Sequence, residues 1–491
     1  MAIALDGGVP DSGTDGRGGR PRRGIFRRQR DECPPGPVIF TQDSERLAAS
    51  AAVLDRLART PAARTESVPA DQDETQAPVS PADFDASLVK ESFQRVMANG
   101  SLAMEYFYSH LFAASPETRG MFPLGMSQMR ERLFAGLAHL VSTLDSPAES
   151  AAYLAQLGRD HRKYGVKDKH YHAFLDPLLE TAAHFNGALW TAETDAAWRS
   201  ALTYAARTMR SAASADARNH PPWWVGEIVG HERRGDDLAV VTIRPDRSFA
   251  YRPGQFLTVQ VPRWPRVWRA YSIANAPRSS GLLDLHVRAV PGGMVSTALV
   301  RHAAIGDTVL LGPARGEMTL PGDPGRDLLC VAGGTGLAPI KAIVEEVALG
   351  RTAGMPGRIT LFAGARRQQD LYDLPDLQRL QAACPGLEIL PVLSDETGGR
   401  PGGTWISGML PDVVRTHGLF ENSEAYICGP AAMVRQTTLL LTAHVATEQI
   451  HHDPIPEDQV PPIPPGRPAA PPADIPAALT AKFARPGFPP G

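Results

Sequence analysis

The stretch Cys330-Val331-Ala332-Gly333-Gly334-Thr335-Gly336-Leu337-Ala338-Pro339 ends an apolar run in a glycine cluster and leads into a helix-like segment, Ile340 to Leu349. A strand, a glycine turn and a helix N-terminus make an anion cradle. Backbone N–H groups point outward, the helix dipole is positive there, and glycine lets a pyrophosphate come close. Upstream, Arg269-Ala270-Tyr271-Ser272 puts a cation, an aromatic plane and a hydroxyl into one short segment. On a strand, Arg269 and Tyr271 share one face and Ser272 takes the other. Such a set could pair with a diphosphate, stack on a flat ring and donate to a ring nitrogen. Gly292-Gly293-Met294-Val295-Ser296-Thr297 sets glycines before another helix start, a second phosphate cradle.

A different chemistry rests on histidine. Tyr153, Leu154, Leu157, His161 and Tyr164 form one helical stripe, so His161 points inward with no obvious charge partner. His110, His139, His170, His172 and His184 compete with it, and spacing alone does not choose among them.

These residues need elements to hold them. The chain of 491 residues, 43% hydrophobic, has room for roughly two to four domains. Residues 85–216 carry helical periodicity: Met104, Tyr108, Leu111 and Phe112 share one face, and Leu133, Leu137, Leu140 and Val141 another. Trp190, Trp198 and Leu202 add a late helix, which makes an all-α domain. Over residues 217–325 the period becomes two. Leu238–Ile243, Gln255–Val259, Leu283–Arg288 and Thr308–Leu311 read as strands of a small antiparallel β-barrel. Over residues 326–453, strands Leu328–Ala332, Ile359–Ala363, Glu388–Leu393 and Ala425–Ile427 alternate with helices, giving an α/β domain on a parallel sheet.

The flanks differ in composition. Residues 1–84, rich in Gly, Pro, Arg and acidic residues, and the proline-rich 454–491 are expected to be disordered tails. The basic cluster Arg17 to Arg30 is either a solvated tail or a contact for an anionic partner, and the proline-rich end is a candidate site for a protein partner. A net charge of −3 gives no sign of nucleic-acid binding. Four scattered cysteines (Cys33, Cys330, Cys384, Cys428) form no CxxC pair, which argues against a disulfide framework and a plant-type iron–sulfur cluster. With no apolar signal core and no membrane-length apolar run, a cytoplasmic location is expected.

Tyr251-Arg252-Pro253-Gly254-Gln255-Phe256, Arg269–Ser272, Gly292–Ser296, Gly333–Pro339 and Tyr426-Ile427-Cys428-Gly429-Pro430 together resemble the ferredoxin–NADP⁺ reductase superfamily over residues 223–453. The resemblance implies that Tyr251, Arg269, Tyr271, Ser272 and the turn Gly293, Met294, Val295, Ser296 hold FAD. It implies that Gly333, Gly334, Thr335, Gly336 and Pro339 take the pyrophosphate of NADH or NADPH, with Cys428, Gly429 and Pro430 beside the nicotinamide. Cys330 ends a buried strand and reads as core. Arg366 and Arg367 could meet a 2′-phosphate or stand as solvated loop residues, so the NADH or NADPH preference stays open.

Residues 85–215 resemble a globin in Phe107-Tyr108-Ser109-His110-Leu111-Phe112, Met121-Phe122-Pro123, Leu157-Gly158-Arg159-Asp160-His161 and His170-Tyr171. A globin joined to this reductase is the flavohemoglobin arrangement. The resemblance implies haem b, with His161 as proximal iron ligand, Tyr108 as distal tyrosine, Phe122 against the porphyrin, Leu133 as distal wall and Tyr171 near the proximal histidine. It also implies electron flow from NAD(P)H through FAD to haem and oxidation of nitric oxide to nitrate with O2, both small-molecule substrates. Several positions depart from the family. Met129 stands where many relatives carry glutamine, beside Gln128; Asp160 stands where some have lysine. The acidic partner of Tyr171 is missing, with Ala213 and Ala215 near its position and Asp216 slightly beyond, and Ile450–Ile455 lacks the aromatic that shields flavin. Alternative readings are a haem-containing NAD(P)H–flavin reductase with another small-molecule acceptor, a gas-binding sensor, and a reductase whose globin-like domain is empty.

Overall fold

The computed structural model describes residues 84–320, 325–350, 357–399, 404–418 and 420–453. The segments read as tails lie outside these residues except for Phe84, which packs against the helical core.

The first part is helical: α1 (Ala86–Met97), α2 (Gly100–Ala114), α3 (Ser127–Thr143), α4 (Pro147–His161), α5 (Asp168–Asn186) and α6 (Ala192–Ala217). Asp85 starts α1 by accepting the Ser87 N–H at 2.9 Å, and Thr191 starts α6 by accepting the Thr194 N–H at 3.2 Å. The apolar stripes close on one core that holds Phe93, Phe134, Leu154 and Trp198. The indole N–H of Trp198 donates to Ser92 Oγ at 2.8 Å, so this buried donor is satisfied. α4 crosses α6 at Gly158, where a Cβ would fall 2.1 Å from the Met209 carbonyl oxygen. Two stripe assignments shift. Trp190 lies ahead of α6. Beyond His161 the chain tightens into a 3₁₀ turn, Arg162–Tyr164, that ends at Gly165 with φ +72°, and this turns Tyr164 out of the helical stripe.

The second part contains β1 (Trp224–Arg233), β2 (Leu238–Pro245), β3 (Phe256–Gln260), β4 (Arg269–Ser272), β5 (Leu283–Arg288), a helical turn α7 (Met294–Thr297) and β6 (Thr308–Leu311). They form a six-stranded antiparallel sheet in the order β4-β3-β6-β1-β2-β5. A bridge between Ile273 and Leu285 draws its two edges together into a nearly closed barrel. Alternate residues such as Ile228, Val241, Ile243, Leu257 and Leu311 fill the interior. Strand β1 is central, yet the sequence hides it. A bulge between Ile228 and Gly230 breaks the period of two, and Gly226 lies under Ile243 and Leu311.

The third part runs β7 (Asp327–Gly333), α8 (Leu337–Ala348), β8 (Ile359–Ala365), α9 (Leu374–Ala383), β9 (Leu387–Leu393), β10 (Ile406–Ser407), α10 (Leu410–His417), β11 (Ser423–Cys428), α11 (Ala431–Leu441) and β12 (Ile450–His451). The sheet is parallel, in the order β10-β9-β8-β7-β11-β12. Helices cover both faces, so Leu328 to Ala332 of β7 are all buried. The chain leaves β7 towards β8 on one side, whereas β11 pairs on the other. A crevice therefore opens at the C-terminal ends of β7 and β11. Among the described residues no helix is long and apolar enough to cross a membrane.

Candidate functional site

Helix α2 brings Phe107, Tyr108, Leu111 and Phe112 to one wall, where they meet Phe122, Met129, Leu133 and Phe174. The Tyr108 ring meets Phe122 edge-on at 5.5 Å and Phe107 at 4.9 Å. Tyr108 is 6% exposed, and burial pushes its phenol well above the usual range despite the charge of Arg130, so it stays a neutral O–H donor. Its bond to the Met129 carbonyl is long, 3.4 Å, which leaves the donor weakly engaged. Leu133 and Leu178 touch both this aromatic wall and the main helical core.

His161 ends α4. Its Nδ1 donates to the Leu157 carbonyl at 2.7 Å, which fixes the tautomer and leaves the Nε2 lone pair for a ligand. Burial holds its pKa below the ordinary value, against the pull of the Leu157 bond and Asp160, so the ring is neutral. A neutral imidazole with Nδ1 committed to a backbone carbonyl and Nε2 left to bond is a donor that fits haem iron. Tyr171 is half-buried on α5, and burial reinforced by Asp168 pushes its phenol up to about 12. Asp168 is paired with Arg210, Nε to Oδ1 at 3.1 Å. Asp216 is held by Arg162 and by His220 (2.9 Å), so this carboxylate does not take up the missing role beside Tyr171. Gln128 is likewise engaged elsewhere: its Oε1 accepts from Arg269 Nη2 at 2.6 Å.

That bond places the N-terminal turn of α3 against β4, the edge strand that carries Arg269, Tyr271 and Ser272. Arg269 Nη1 also donates to the Trp268 carbonyl at 2.9 Å. Tyr271 is half-buried, and burial raises its phenol. The Tyr251 hydroxyl donates to the Asn275 carbonyl at 3.0 Å and accepts from Asn275 Nδ2 at 2.9 Å, which ties down the loop after β4. Gly292 has φ +72°, and a Cβ on Gly293 would meet Ser296 Oγ at 2.4 Å. The turn is thus closed on Ser296, with Val295 buried and Met294 exposed. An edge strand with a cation, a ring and a hydroxyl beside a glycine turn fits a flavin dinucleotide.

In the crevice of the parallel sheet, Gly334 has φ +57° and a Cβ on Gly336 would fall 2.3 Å from the Cys428 carbonyl oxygen. A Cβ on Gly429 would lie 3.1 Å from Gly333 Cα. The two motifs, nearly a hundred positions apart, therefore touch through backbone where a side chain would part them. Pro339 lies in the first turn of α8, where its missing N–H costs nothing. Burial pushes the Cys428 thiol up to about 12, with Asp453 adding to it; Asp453 is itself raised by burial. Cys330 is fully buried in the core. Arg366 and Arg367 are exposed after β8.

Sequence reasoning missed the residues that join the units. The Tyr164 ring meets the Trp268 indole edge-on at 6.5 Å, and Lys163 Nζ lies 5.7 Å from that indole and 3.5 Å from Thr258 Oγ1. Composition offered no signal for these contacts, because each residue alone reads as an ordinary helix end or strand.

The fold and its sites define a flavin- and nicotinamide-dependent oxidoreductase that carries a haem-type helical unit. Residues 105–209 match the globin family, 228–319 the oxidoreductase FAD-binding domain and 330–438 the oxidoreductase NAD-binding domain. A flavohemoprotein of Bordetella pertussis is 25% identical over 390 residues, 74% of this chain and 96% of its own. The xylene/toluene monooxygenase electron transfer component of Pseudomonas putida is 34% identical over 230 residues, 46% of this chain and 63% of its own length. The chain thus spans less than two thirds of that relative. A flavohemoglobin structure from Malassezia yamatoensis, with bound FAD and heme, superposes with a TM-score of 0.61 at 17% identity. It covers 75% of this chain and 97% of its own, a likeness of fold. The chain joins a globin domain to FAD-binding and NAD-binding oxidoreductase domains, the arrangement of the flavohemoproteins to which it is similar, with haem, FAD and a nicotinamide dinucleotide as its cofactors.

Proposed function

We propose that the protein is an NAD(P)H-dependent nitric oxide dioxygenase, which converts two nitric oxide and two dioxygen molecules to two nitrate ions as one NAD(P)H is oxidised. When bound, FAD would split a hydride into single electrons and haem iron would accept them and bind the gas. His161 Nε2 would ligate the iron, with Phe122 and Leu133 forming apolar walls and Tyr171 on the proximal side. Tyr108, held neutral by burial, would donate its O–H to a small polar ligand in the distal space. Arg269, Tyr271, Ser272, Tyr251 and the Gly293–Ser296 turn would hold FAD. Gly333 to Pro339 would hold the nicotinamide dinucleotide pyrophosphate, with Cys428, Gly429 and Pro430 beside the nicotinamide.

The observation that carries this reading is His161. One neutral imidazole has its Nδ1 committed to Leu157 and its Nε2 free, on a helix end that runs directly onto the flavin barrel. The test is nitric oxide consumption, followed with an electrode, by haem- and FAD-loaded protein given NAD(P)H and oxygen. A rate no faster than that of free flavin sinks the reading. A second reading, a haem-containing reductase with another small oxidant, draws support from Met129 in the aromatic wall and from Gln128 bonded outward to Arg269. Turnover with peroxides and quinones in place of nitric oxide separates the two.

A further inference from the structure

Asp160, the residue before His161, reaches out of the helical unit. Its Oδ2 accepts from Gln156 Nε2 at 2.9 Å, and its Oδ1 accepts from Arg315 Nη2 at 3.3 Å across 155 positions of sequence. Arg315 is firmly seated in the barrel. Its backbone exchanges two hydrogen bonds with Phe256, 2.7 and 2.8 Å, and Phe256 in turn pairs with Ser272 of the flavin-type motif. One short connection therefore runs from the β4 edge through Phe256, Arg315 and Asp160 to the imidazole next in sequence. Two and three residues beyond His161, Lys163 docks on Trp268 and Thr258 and Tyr164 on Trp268.

We propose that Asp160 and Arg315 are a positioning pair that seats the proximal helix on the flavin barrel and so sets the approach of haem to flavin. The proposal rests on the reading that electrons pass from flavin to haem. The pair is about one quarter to one third exposed, 25% for Arg315 and 32% for Asp160. An ion pair this accessible adds little to folding stability, so what it fixes is orientation. Charge makes Asp160 the more demanding member. It is the carboxylate acting on Lys163, whose charge is also opposed by Arg315 and Arg132. Neutralising Asp160 leaves the Lys163 ammonium under the charges of Arg315 and Arg132 with no offset from Asp160, whereas neutralising Arg315 leaves Asp160 acting on Lys163. Electron transfer slows as redox partners move apart, so a loosened junction should slow haem reduction.

The experiment compares the full chain with Asp160→Asn, Arg315→Gln and Arg315→Lys. In loaded protein, anaerobic stopped flow with NADH under carbon monoxide follows flavin bleaching and haem reduction separately. Flavin bleaching should stay within twofold of the parent. Haem reduction should slow about tenfold in Arg315→Gln, further in Asp160→Asn, and recover most of its rate in Arg315→Lys. In the cofactor-free chain, hydrogen–deuterium exchange should quicken at residues 161–165 and 255–260 in both neutralised variants. Parent-like haem reduction in both would overturn the proposal. If the parent itself does not pass electrons to haem, the underlying functional reading fails, and unchanged exchange in the neutralised variants then overturns the pair as well.

Discussion

Gly158 lies so close to Met209 that a Cβ on it would fall 2.1 Å from the Met209 carbonyl oxygen. This contact lets α4 cross α6 at backbone distance and fixes the height of His161 one helical turn later. Gly158→Val should force the helices apart and destabilise the chain by about 1–3 kcal/mol, because an overpacked crossing cannot relax without moving backbone. Thermal unfolding and the haem-to-protein ratio after expression with added haem would both report it. An unchanged melting temperature would mean that α4 tolerates displacement.

Burial lowers the His161 pKa, so the folded chain resists a proton that the unfolded chain takes up near the ordinary value of about 6.5. The unfolded state then binds more protons, and stability must fall as pH drops from about 6.5 through the lowered folded value. Above about 6.5 the contribution of His161 is fully present. Urea midpoints of cofactor-free protein at pH 7.5 and 5.5 should differ more in the parent than in His161→Gln, which has no titrating ring. Equal differences would remove His161 from the account.

Tyr108 carries the hydroxyl donor of the aromatic wall, and its bond to Met129 is too long to hold it tightly. Tyr108→Phe keeps the ring packing against Phe107 and Phe122 and deletes only the hydroxyl. A hydrogen bond to a partly charged ligand is worth about 1.5–3 kcal/mol, so oxygen release from reduced protein should quicken roughly tenfold to a hundredfold. Carbon monoxide, which accepts hydrogen bonds poorly, should leave at nearly the parent rate. Equal acceleration of both gases would point to altered packing instead.

Burial with Asp453 nearby raises the Cys428 thiol to about 12. At pH 8 the thiolate fraction should be roughly a thousandfold below that of an ordinary cysteine. Iodoacetamide labelling read by mass spectrometry should therefore be slow at Cys428 in native protein and fast in urea. Native labelling as fast as that in urea would place the thiol in an accessible, ionised site.

Gly336 under the Cys428 carbonyl joins the glycine turn to the β11 loop. Gly336→Val should part the two loops. Flavin reduction by NADH should fall about a hundredfold while flavin absorbance and haem content persist, because misplacement far smaller than a side chain costs that much. Retained reduction would mean that the nicotinamide does not depend on this contact.

Much of this was written locally. The strands Leu238–Ile243, Leu283–Arg288 and Leu328–Ala332 announced themselves because side-chain direction follows a period of two, or a continuous apolar run where both sheet faces are covered. His161 and Tyr108 stood out by type and by position on apolar helical faces, although resemblance was needed to choose His161 from the other histidines. Strand β1 did not announce itself, since a bulge and two glycines erase its alternation. The direction of Tyr164 was also hidden: a helical stripe predicts it inward only if the helix continues, and the chain instead tightens to 3₁₀ and stops at Gly165. The bonds of Gln128 to Arg269 and of Asp160 to Arg315 lay beyond sequence altogether. Periodicity and turn chemistry act over a few residues and can be read in order along the chain. Which surface charge meets which partner depends on how whole units dock, and that is settled only when the barrel and the helices have folded and met.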